Sequence, residues 1–209
     1  MDSNDEFRTE RLLLRPWRES DLDPLAELTA DPRVMEDLPA PLSRADTEAL
    51  VARSQAHFRE HGFGLWAVEV PGQADLIGLA GLWHFRFQAP FAPCVEIGWR
   101  LAPGHWGRGY ATEAAASLLG FAFLKACLDQ VVGFTVSANL RSRRVMEKLG
   151  MRRDPALDFP HPLLPANHPS RQHMLYRIDR GSWLNRRSEG AVGPELTAES
   201  SHVGSVQAP

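Results

Sequence analysis

Residues 104 to 114 read GHWGRGYATEA, and this stretch constrains the fold more than any other part of the chain. It follows an alternating apolar segment, Cys94 to Leu101, and it precedes an alanine-rich segment with high helix propensity. Gly107 and Gly109 therefore give the backbone freedom where a strand turns into a helix. Small residues at such a turn let an anion approach the unpaired N–H groups of the helix. The pattern fits an anion-binding turn, and it fits equally an ordinary strand–helix connection whose glycines supply positive φ angles.

Two common nucleotide-binding patterns are excluded for this turn. A mononucleotide P-loop requires a Lys-Ser/Thr pair after its last glycine, whereas Tyr110 and Ala111 follow Gly109. A dinucleotide fingerprint requires a βαβ unit, whereas the strands predicted before the turn form hairpins.

The composition predicts one globular domain. The chain has 209 residues, 44% of them hydrophobic, and a net charge of −3, which gives no electrostatic case for nucleic acid binding. Cys94 and Cys127 make no disulfide framework, and the most apolar stretch, from Ala116, is too short to cross a bilayer. We predict a cytoplasmic protein without membrane contact, with its domain in residues 1–185 and a disordered tail, poor in apolar residues, in 186–209.

The remaining periodicities predict alternating strands and helices. Capping patterns at Ser20/Asp23 and Ser43/Asp46 predict the starts of two helices, and Pro-rich composition predicts loops over 31–42 and most of 152–172. The other predicted elements are a strand over 11–17, a hairpin around PGQA, strands over 94–101, 131–138 and 172–178, and helices over 112–126 and just before Gly150.

Three motifs in order resemble a known superfamily. EIGWRLAPGHWGRGYATEAAASLLGFAF and, after a strand, NLRSRRVMEKLGM look like the GNAT superfamily of CoA-dependent N-acetyltransferases. The opening TERLLLRPW looks like its RimJ/RimL branch of ribosomal-protein N-terminal acetyltransferases. The resemblance covers roughly residues 8–180. It implies an α/β (α+β) fold with a mixed, largely antiparallel central sheet flanked by helices. That sheet splays between the Glu96 strand and the 131–138 strand, and acetyl-CoA lies in the gap.

The resemblance also implies which residues hold acetyl-CoA. The family's glycine turn binds the pyrophosphate through backbone N–H groups, and here its residues are Trp106, Gly107, Arg108, Gly109, Tyr110, Ala111 and Thr112. Trp106 departs from the family's usual Gln or Arg, which weakens a side-chain phosphate contact but leaves the backbone contacts intact. Asn139 and Ser142 correspond to residues that contact the pantetheine arm, and they also fit a helix N-cap with a first-turn serine.

Amide formation from a thioester requires a base for the amine and a proton for the departing thiolate. Glu96 is our candidate base, because a carboxylate among the apolar residues of a central strand is expected to have a raised pKa. The resemblance supports it, since family members often carry a glutamate on this strand. The alternative is a structural ion pair with Arg100. Ser142 is the candidate acid, because Met146 stands where many members have a tyrosine.

Other residues carry weaker signals. The histidines show no metal-ligand pattern, so we predict no metal; His161, His168 or His173 remains an alternative base beside the acceptor. Glu36 and Asp37 would suit a cationic amine, and they fit a solvated acidic loop as well. Direct transfer without an acetyl-enzyme is expected, with Cys94 the thiol to check.

Three functions are compatible with the sequence. They are acetylation of a protein N-terminus, acetylation of a small amine (amino acid, polyamine or antibiotic), and acetyl-CoA binding without catalysis. A monomer and a homodimer are both compatible with the sequence.

Overall fold

A computed structural model of the chain describes residues 6–38, 40–85, 89, 91–162 and 164–189. The strands are β1 (Phe7–Arg8), β2 (Leu13–Arg15), β3 (Leu65–Val70), β4 (Ala74–Phe85), β5 (Cys94–Leu101), β6 (Gln130–Val136), β7 (Arg152–Arg153), β8 (Phe159–Pro160) and β9 (Gln172–Asp179). In the described part they form one sheet of order β1-β2-β3-β4-β5-β6-β9-β7, with β8 paired to β9. Its pairings are antiparallel except that of β5 with β6, which confirms the predicted mixed, largely antiparallel α/β fold.

Helices cover both faces of this sheet. They are α1 (Leu22–Ala30), α2 (Pro32–Met35), α3 (Arg44–His61), α4 (Tyr110–Leu124), α5 (Leu140–Lys148) and α6 (Arg180–Ser188). The buried residues of α4 share one core cluster with Val95, Ile97 and Leu101 of β5. Leu25 of α1 and Val51 of α3 pack with Leu79 of β4 in a separate cluster. Because Leu79 lies directly opposite Arg100, the even-numbered residues of β5 face α1 and α3.

The sheet splays at its centre, where the resemblance implied that it would. β5 and β6 pair in parallel at a single position, Glu96 opposite Val132. Beyond that position the two strands separate, so N–H and C=O groups on this edge of β5 have no neighbouring strand to bond. The gap therefore exposes strand backbone in the middle of the sheet.

The capping prediction at Ser20/Asp23 is wrong, and a buried ion pair explains why. α1 follows a short 3-10 helix, Glu19–Asp21, and the capping box there joins Arg18 and Asp21. Asp21 also accepts two hydrogen bonds from Arg15 at 2.7 and 2.8 Å, and Arg15 is 1% exposed. Asp21 is thus committed to a buried guanidinium, which fixes the helix start at Leu22.

The second capping prediction is confirmed, and the loop after α1 is more ordered than its prolines predicted. Ser43 and Asp46 form the capping box of α3. Residues 31–42 contain α2, since Asp31 caps the N–H of Arg33 and Pro32 suits the first helical position.

The C-terminal region differs from the sequence prediction in two places. Residues 152–172 include β7 and β8, which extend the sheet beside β9. α6 continues to Ser188, three residues beyond the predicted domain end at 185. Asp179 caps its start and Trp183, 2% exposed, anchors it in the core. The rest of the predicted tail, 190–209, lies outside the described residues. Of the described helices, none has the length and apolar composition that crossing a bilayer requires.

Candidate active site

A cavity of about 970 Å³ opens at the splay, on the side of the sheet that carries α1, α2 and α3. One side of it is the turn between β5 and α4, residues 106–112, together with the start of α5; we call this the turn wall. Another part of the lining comes from β4, β5 and α3 and includes Trp83, His84, Glu96, Arg100 and His57; we call this the strand wall.

The turn wall presents a helix N-terminus to the cavity. Gly109 is the N-cap of α4, has φ of +85°, and offers no side chain to the N–H groups of the first turn. Gly107, with φ of +74°, reverses the chain just before it. The predicted turn residues that line the cavity are Trp106, Gly107, Gly109, Tyr110, Ala111 and Thr112. Arg108 is exposed and does not line it.

Arg11 braces this turn from outside, which the sequence patterns did not reveal. Its backbone N–H and its Nε donate to the carboxylate of Glu113 at 2.8 and 2.7 Å, and Thr9 Oγ1 donates to the same carboxylate at 2.6 Å. Arg11 Nη1 also donates to the carbonyl of Arg108 at 3.0 Å. The guanidinium lies 4.8 Å from the ring centroid of Tyr110. The brace fixes the turn and neutralises a carboxylate in the first turn of α4.

The ring of Trp106 is held in place by two contacts. Its Nε1 donates to the carbonyl of Leu101 at 2.7 Å, and the guanidinium of Arg141 stacks 3.9 Å from its ring centroid. The indole N–H is therefore committed to the protein rather than to an anion. Arg141, which also lines the cavity, brings a positive charge to the same place.

Asn139 and Ser142 lie together at the start of α5, and both line the cavity. Asn139 is the N-cap, and its Oδ1 accepts from the N–H of Ser142 at 3.0 Å, as the capping interpretation predicted. Asp37 lines the same cavity. Burial, and then the charge of Glu36, raises the pKa of Asp37, while the charge of Arg141 and the nearby Asn139 amide oppose the shift. Glu36 itself is exposed.

Glu96 lies at the point where the sheet splits, in the strand wall. Burial raises the pKa of its carboxyl to about 8, and the positive charge of Arg100 opposes the shift. Among the described residues no ion pair joins the two side chains, because no Arg100 nitrogen lies within 4.0 Å of a Glu96 oxygen. The structural ion pair considered from the sequence is therefore absent, and Glu96 can exchange protons near neutral pH.

Arg100 is a half-buried cation that forms no ion pair with any described residue. Its Nη1 atom is buried and makes no hydrogen bond to those residues. Burial lowers its pKa to about 10, and Glu96 opposes that shift. A desolvated guanidinium in this state is costly unless an anion joins it, so its place beside the cavity is notable for ligand binding.

The candidate histidines divide into two sets. His161 and His173 line the cavity with ring centroids 4.9 Å apart, whereas His168 does not line it. Burial, and then His173, lowers the pKa of His161 to about 4, and burial lowers that of His173. Both are neutral and weakly basic at pH 7. Sequence reasoning missed that His57 and His84 also line the cavity.

Cys94 is a poor nucleophile. Burial, and then the charge of Glu96, raises the pKa of its thiol to about 12, so thiolate is scarce at neutral pH. Cys127 is exposed and does not line the cavity. The site thus combines a helix N-terminus without a side-chain cap, a carboxyl whose pKa is raised by burial to about 8 and one cavity that adjoins both, but no activated thiol.

Comparison with known proteins agrees with this geometry. The family model of the acetyltransferase (GNAT) domain matches residues 11–152. The chain is 32% identical over 148 residues to the uncharacterized N-acetyltransferase YnaD of Bacillus subtilis (strain 168), covering 70% of this chain and 82% of YnaD. It is also 33% identical over 94 residues to the FsC-acetyl coenzyme A-N(2)-transacetylase of Aspergillus fumigatus, covering 43% of this chain and 38% of that protein.

A solved structure shares the fold as well. The crystal structure of an acetyltransferase from Agrobacterium tumefaciens str. C58 has a TM-score of 0.68 and 31% identity, covering 83% of this chain and 93% of that one. The family match spans more than half of the chain, and YnaD is matched over more than two thirds of its length. The chain is an acetyltransferase and belongs to the GNAT family, whose members use acetyl-CoA.

Proposed function

We propose that this acetyltransferase moves the acetyl group of acetyl-CoA directly to a primary amine, with the turn wall binding the cofactor and Glu96 acting as the base. The observation that carries the proposal is that one cavity joins an uncapped helix N-terminus to a carboxyl whose pKa is about 8. The first suits a pyrophosphate, and the second suits a proton acceptor at neutral to slightly alkaline pH.

The residues of the turn wall fit acetyl-CoA. Backbone N–H groups of the 106–112 turn would bind the pyrophosphate, with no side-chain cap on α4 to compete for them. Asn139 and Ser142 would contact the pantetheine arm, since both line the same cavity. Acetyl-CoA supplies an activated acyl thioester. The β5 backbone N–H groups freed at the splay would stabilise negative charge on the thioester oxygen.

Glu96 and Ser142 each carry out one of the two proton transfers. An acceptor ammonium first loses a proton to solvent, and Glu96 then accepts the proton that the neutral amine loses as its nitrogen attacks the thioester carbonyl carbon and forms the new C–N bond. Ser142 donates its hydroxyl proton to the thiolate that leaves as the C–S bond breaks, and it regains a proton from solvent. The pKa of Cys94, about 12, supports direct transfer over an acetyl-cysteine route.

The acceptor class is the finer part of the proposal. A protein N-terminus is supported by the RimJ/RimL resemblance of TERLLLRPW. A small amine that also carries a carboxylate is the second candidate, favoured by the unpartnered Nη1 of Arg100 beside the cavity. Binding without catalysis, the third candidate, would have been favoured by an ion pair between Glu96 and Arg100, and the described residues contain none.

An acceptor screen that measures free thiol tests the proposal. It should pair each amine with its carboxylated counterpart, for instance phenethylamine with phenylalanine, and should include peptides with free and blocked N-termini. Release of thiol with any primary amine supports the activity, and the preferred set identifies the acceptor class. Acetyl-CoA binding without turnover on all sets would overturn the catalytic proposal in favour of a binding module.

A further inference from the structure

Arg100 differs from the other cations of the cavity lining. Of the arginines and lysines that line the cavity in the described part of the chain, it is the only one that is not exposed; the others are Arg33, Arg53, Arg141, Arg144 and Lys148. Its Nη1 atom is buried and has no hydrogen-bond partner there. Water satisfies an exposed guanidinium, whereas a buried donor without a partner raises the free energy of the protein. A ligand that accepts a hydrogen bond from Arg100 would recover that cost, so this residue points to an anionic group in the cavity.

A carboxylate on the acceptor is the anion that fits this position best. The planar guanidinium of Arg100 can donate two parallel hydrogen bonds to a carboxylate. Arg100 and Glu96 lie on the same face of β5, because side chains an even number of residues apart in a strand point to the same side. Each of the two charges also acts on the pKa of the other group. The pyrophosphate of acetyl-CoA, by contrast, would have the N–H groups of the turn wall.

Gly98 leaves space between Glu96 and Arg100. It lies between them on the same face of β5 and carries no side chain. Oε1 of Glu96 lies 3.9 Å from the position that a Cβ at Gly98 would have, so the carboxyl group leans along the strand toward Arg100. The two side chains nevertheless form no ion pair. Two opposite charges that adjoin one part of the cavity without touching suit a ligand that carries both an amine and a carboxylate.

Aromatic side chains lie on the other side of Glu96. Phe85 of β4 lies opposite Cys94, which precedes Glu96 by two residues in β5. Phe134 of β6 packs against Phe85 with ring centroids 5.2 Å apart, and both residues line the cavity. Arg100 lies in the opposite direction along β5. The lining therefore changes from aromatic to cationic across Glu96, and an α-amino acid with an apolar side chain carries groups that match all three parts.

We infer that the acceptor is an α-amino acid with an apolar or aromatic side chain, whose carboxylate accepts hydrogen bonds from Arg100. The inference rests on the proposed function, because it assigns the amine to Glu96. The bound carboxylate would hold the amine beside Glu96, and the side chain would pack on Phe85 and Phe134. A protein N-terminus has no carboxylate on the carbon that carries its amine, so a peptide would leave Arg100 without this partner.

Acceptor pairs that differ only in the carboxylate test this inference. Thiol release is measured with the apolar and aromatic amino acids and with their C-terminal amides. The amide keeps the shape of the acceptor and removes its negative charge. It also makes the neighbouring amine less basic, so that more of the amine is unprotonated, and a preference for the free acids would arise in spite of that difference. We expect kcat/KM to be at least tenfold higher for the free acids, as for a hydrogen bond to a charged group.

Substitutions at Arg100 show whether this residue causes the preference. Arg100→Met should remove it, mainly by raising KM for the free acids, while acetyl-CoA affinity stays within a few-fold. Arg100→Lys keeps the charge but loses the planar fork, so it should retain part of the preference. Arg53→Met is the matched control, because Arg53 lines the cavity from α3 and is exposed, and the preference should persist in it. Circular dichroism establishes that each variant is folded, and Arg100→Lys alone is compared with the wild type if Arg100→Met is not.

Calorimetric titration of the CoA-saturated enzyme separates this inference from the proposed activity. Stronger binding of the free acids than of the amides would support the carboxylate site even without thiol release. Equal or weaker binding of the free acids, or a preference that survives in folded Arg100→Met, would overturn the inference. Thiol release with amides or peptides would then still support the proposed acetyl transfer. Loss of acetyl-CoA affinity in Arg100→Met with an unchanged preference would also overturn it, because the anion would then belong to the cofactor.

Discussion

The two walls of the cavity are built in opposite ways. The turn wall uses consecutive residues and presents mainly backbone N–H groups, and its shape is fixed by the Arg11–Glu113 brace. The strand wall presents side chains from separate elements, including Glu96 and Arg100 with strongly shifted pKa values. The first arrangement suits binding of a cofactor of constant shape, while the second gathers titratable side chains whose pKa values are shifted, which is the arrangement that our proposal assigns to proton transfer. Changes in the turn wall should therefore act on acetyl-CoA affinity, and changes in the strand wall on turnover.

The largest effect is expected for Glu96→Gln. The amide keeps the shape of the side chain but cannot accept a proton, so turnover should fall by about 10²–10⁴-fold. Acetyl-CoA affinity should stay within a few-fold, because the turn wall is unchanged. Steady-state kinetics and calorimetry measure the two quantities separately.

Cys94→Ser is the matched control for that variant, since it changes the same strand two residues away. We expect near-normal turnover from it, because the Cys94 thiol is almost fully protonated at neutral pH. A stable Glu96→Gln enzyme with normal turnover would remove Glu96 from the mechanism, and an inactive Cys94→Ser enzyme would reopen an acetyl-enzyme route.

The second effect concerns Gly109→Val, which should weaken acetyl-CoA binding by at least tenfold, or about 1.4 kcal/mol. A branched side chain at the N-cap of α4 would block the approach of a phosphate, and it would crowd Arg11 Nη2, 3.3 Å from the position of a Cβ. Gly72→Val is the control, since Gly72 has a similar φ of +74° in the β3–β4 turn with open space around it. Equal affinity in folded Gly109→Val and wild type would mean that the anion binds elsewhere.

A smaller effect is expected when the brace is removed. Arg11→Met leaves the Glu113 carboxylate unneutralised beside the turn, so acetyl-CoA affinity should fall by about three- to tenfold, as for a partly exposed charge interaction. The double variant with Glu113→Gln should recover part of the loss, because the repelling charge is gone. Turnover at saturating acetyl-CoA should change little. Loss of turnover without loss of affinity would contradict the division between the walls.

The smallest effect is expected at the C-terminus. Removal of residues 190–209 should leave melting temperature and acetyl-CoA affinity unchanged, because α6 and its buried Trp183 remain. Removal from residue 182 onward should lower the melting temperature, since it takes Trp183 out of the core. Thermal melts of the two truncations compare them directly, and destabilisation by the shorter deletion would mean that the tail packs on the domain.

Local sequence patterns predicted the turn wall because its parts are adjacent in the chain. The strand pattern, the two glycines and the helix propensity of α4 lie within one continuous segment, residues 94–124, so the order strand–turn–helix could be read from the sequence. The Asn139 cap was readable for the same reason. The role of Arg11 could not be predicted in this way, because its partner Glu113 lies about a hundred residues away in the sequence.

The strand wall could not be predicted from the sequence, because its residues are far apart in the chain. The alternation of residues in β5 predicted that Glu96 lies on the face opposite to Val95 and Ile97. Only the fold, however, brings His84 of β4 against His57 of α3. The absence of a Glu96–Arg100 ion pair likewise depends on where two long side chains settle, which strand periodicity does not determine. α6 was missed because its sequence has only two large apolar residues, Trp183 and Leu184, and only Trp183 is buried, so no helical periodicity is visible.

The pH dependence of turnover tests the central assignment most directly. Burial raises the pKa of Glu96 to about 8, and a base must be deprotonated to act, so turnover should fall as the pH drops through about 8. Two acceptors whose amine pKa values differ by about two units separate this limb from ionisation of the amine. We predict a midpoint near pH 8 with both acceptors in the wild-type enzyme, and loss of that limb in Glu96→Gln. A wild-type profile that follows the amine, or a limb that survives in Glu96→Gln, would contradict the account.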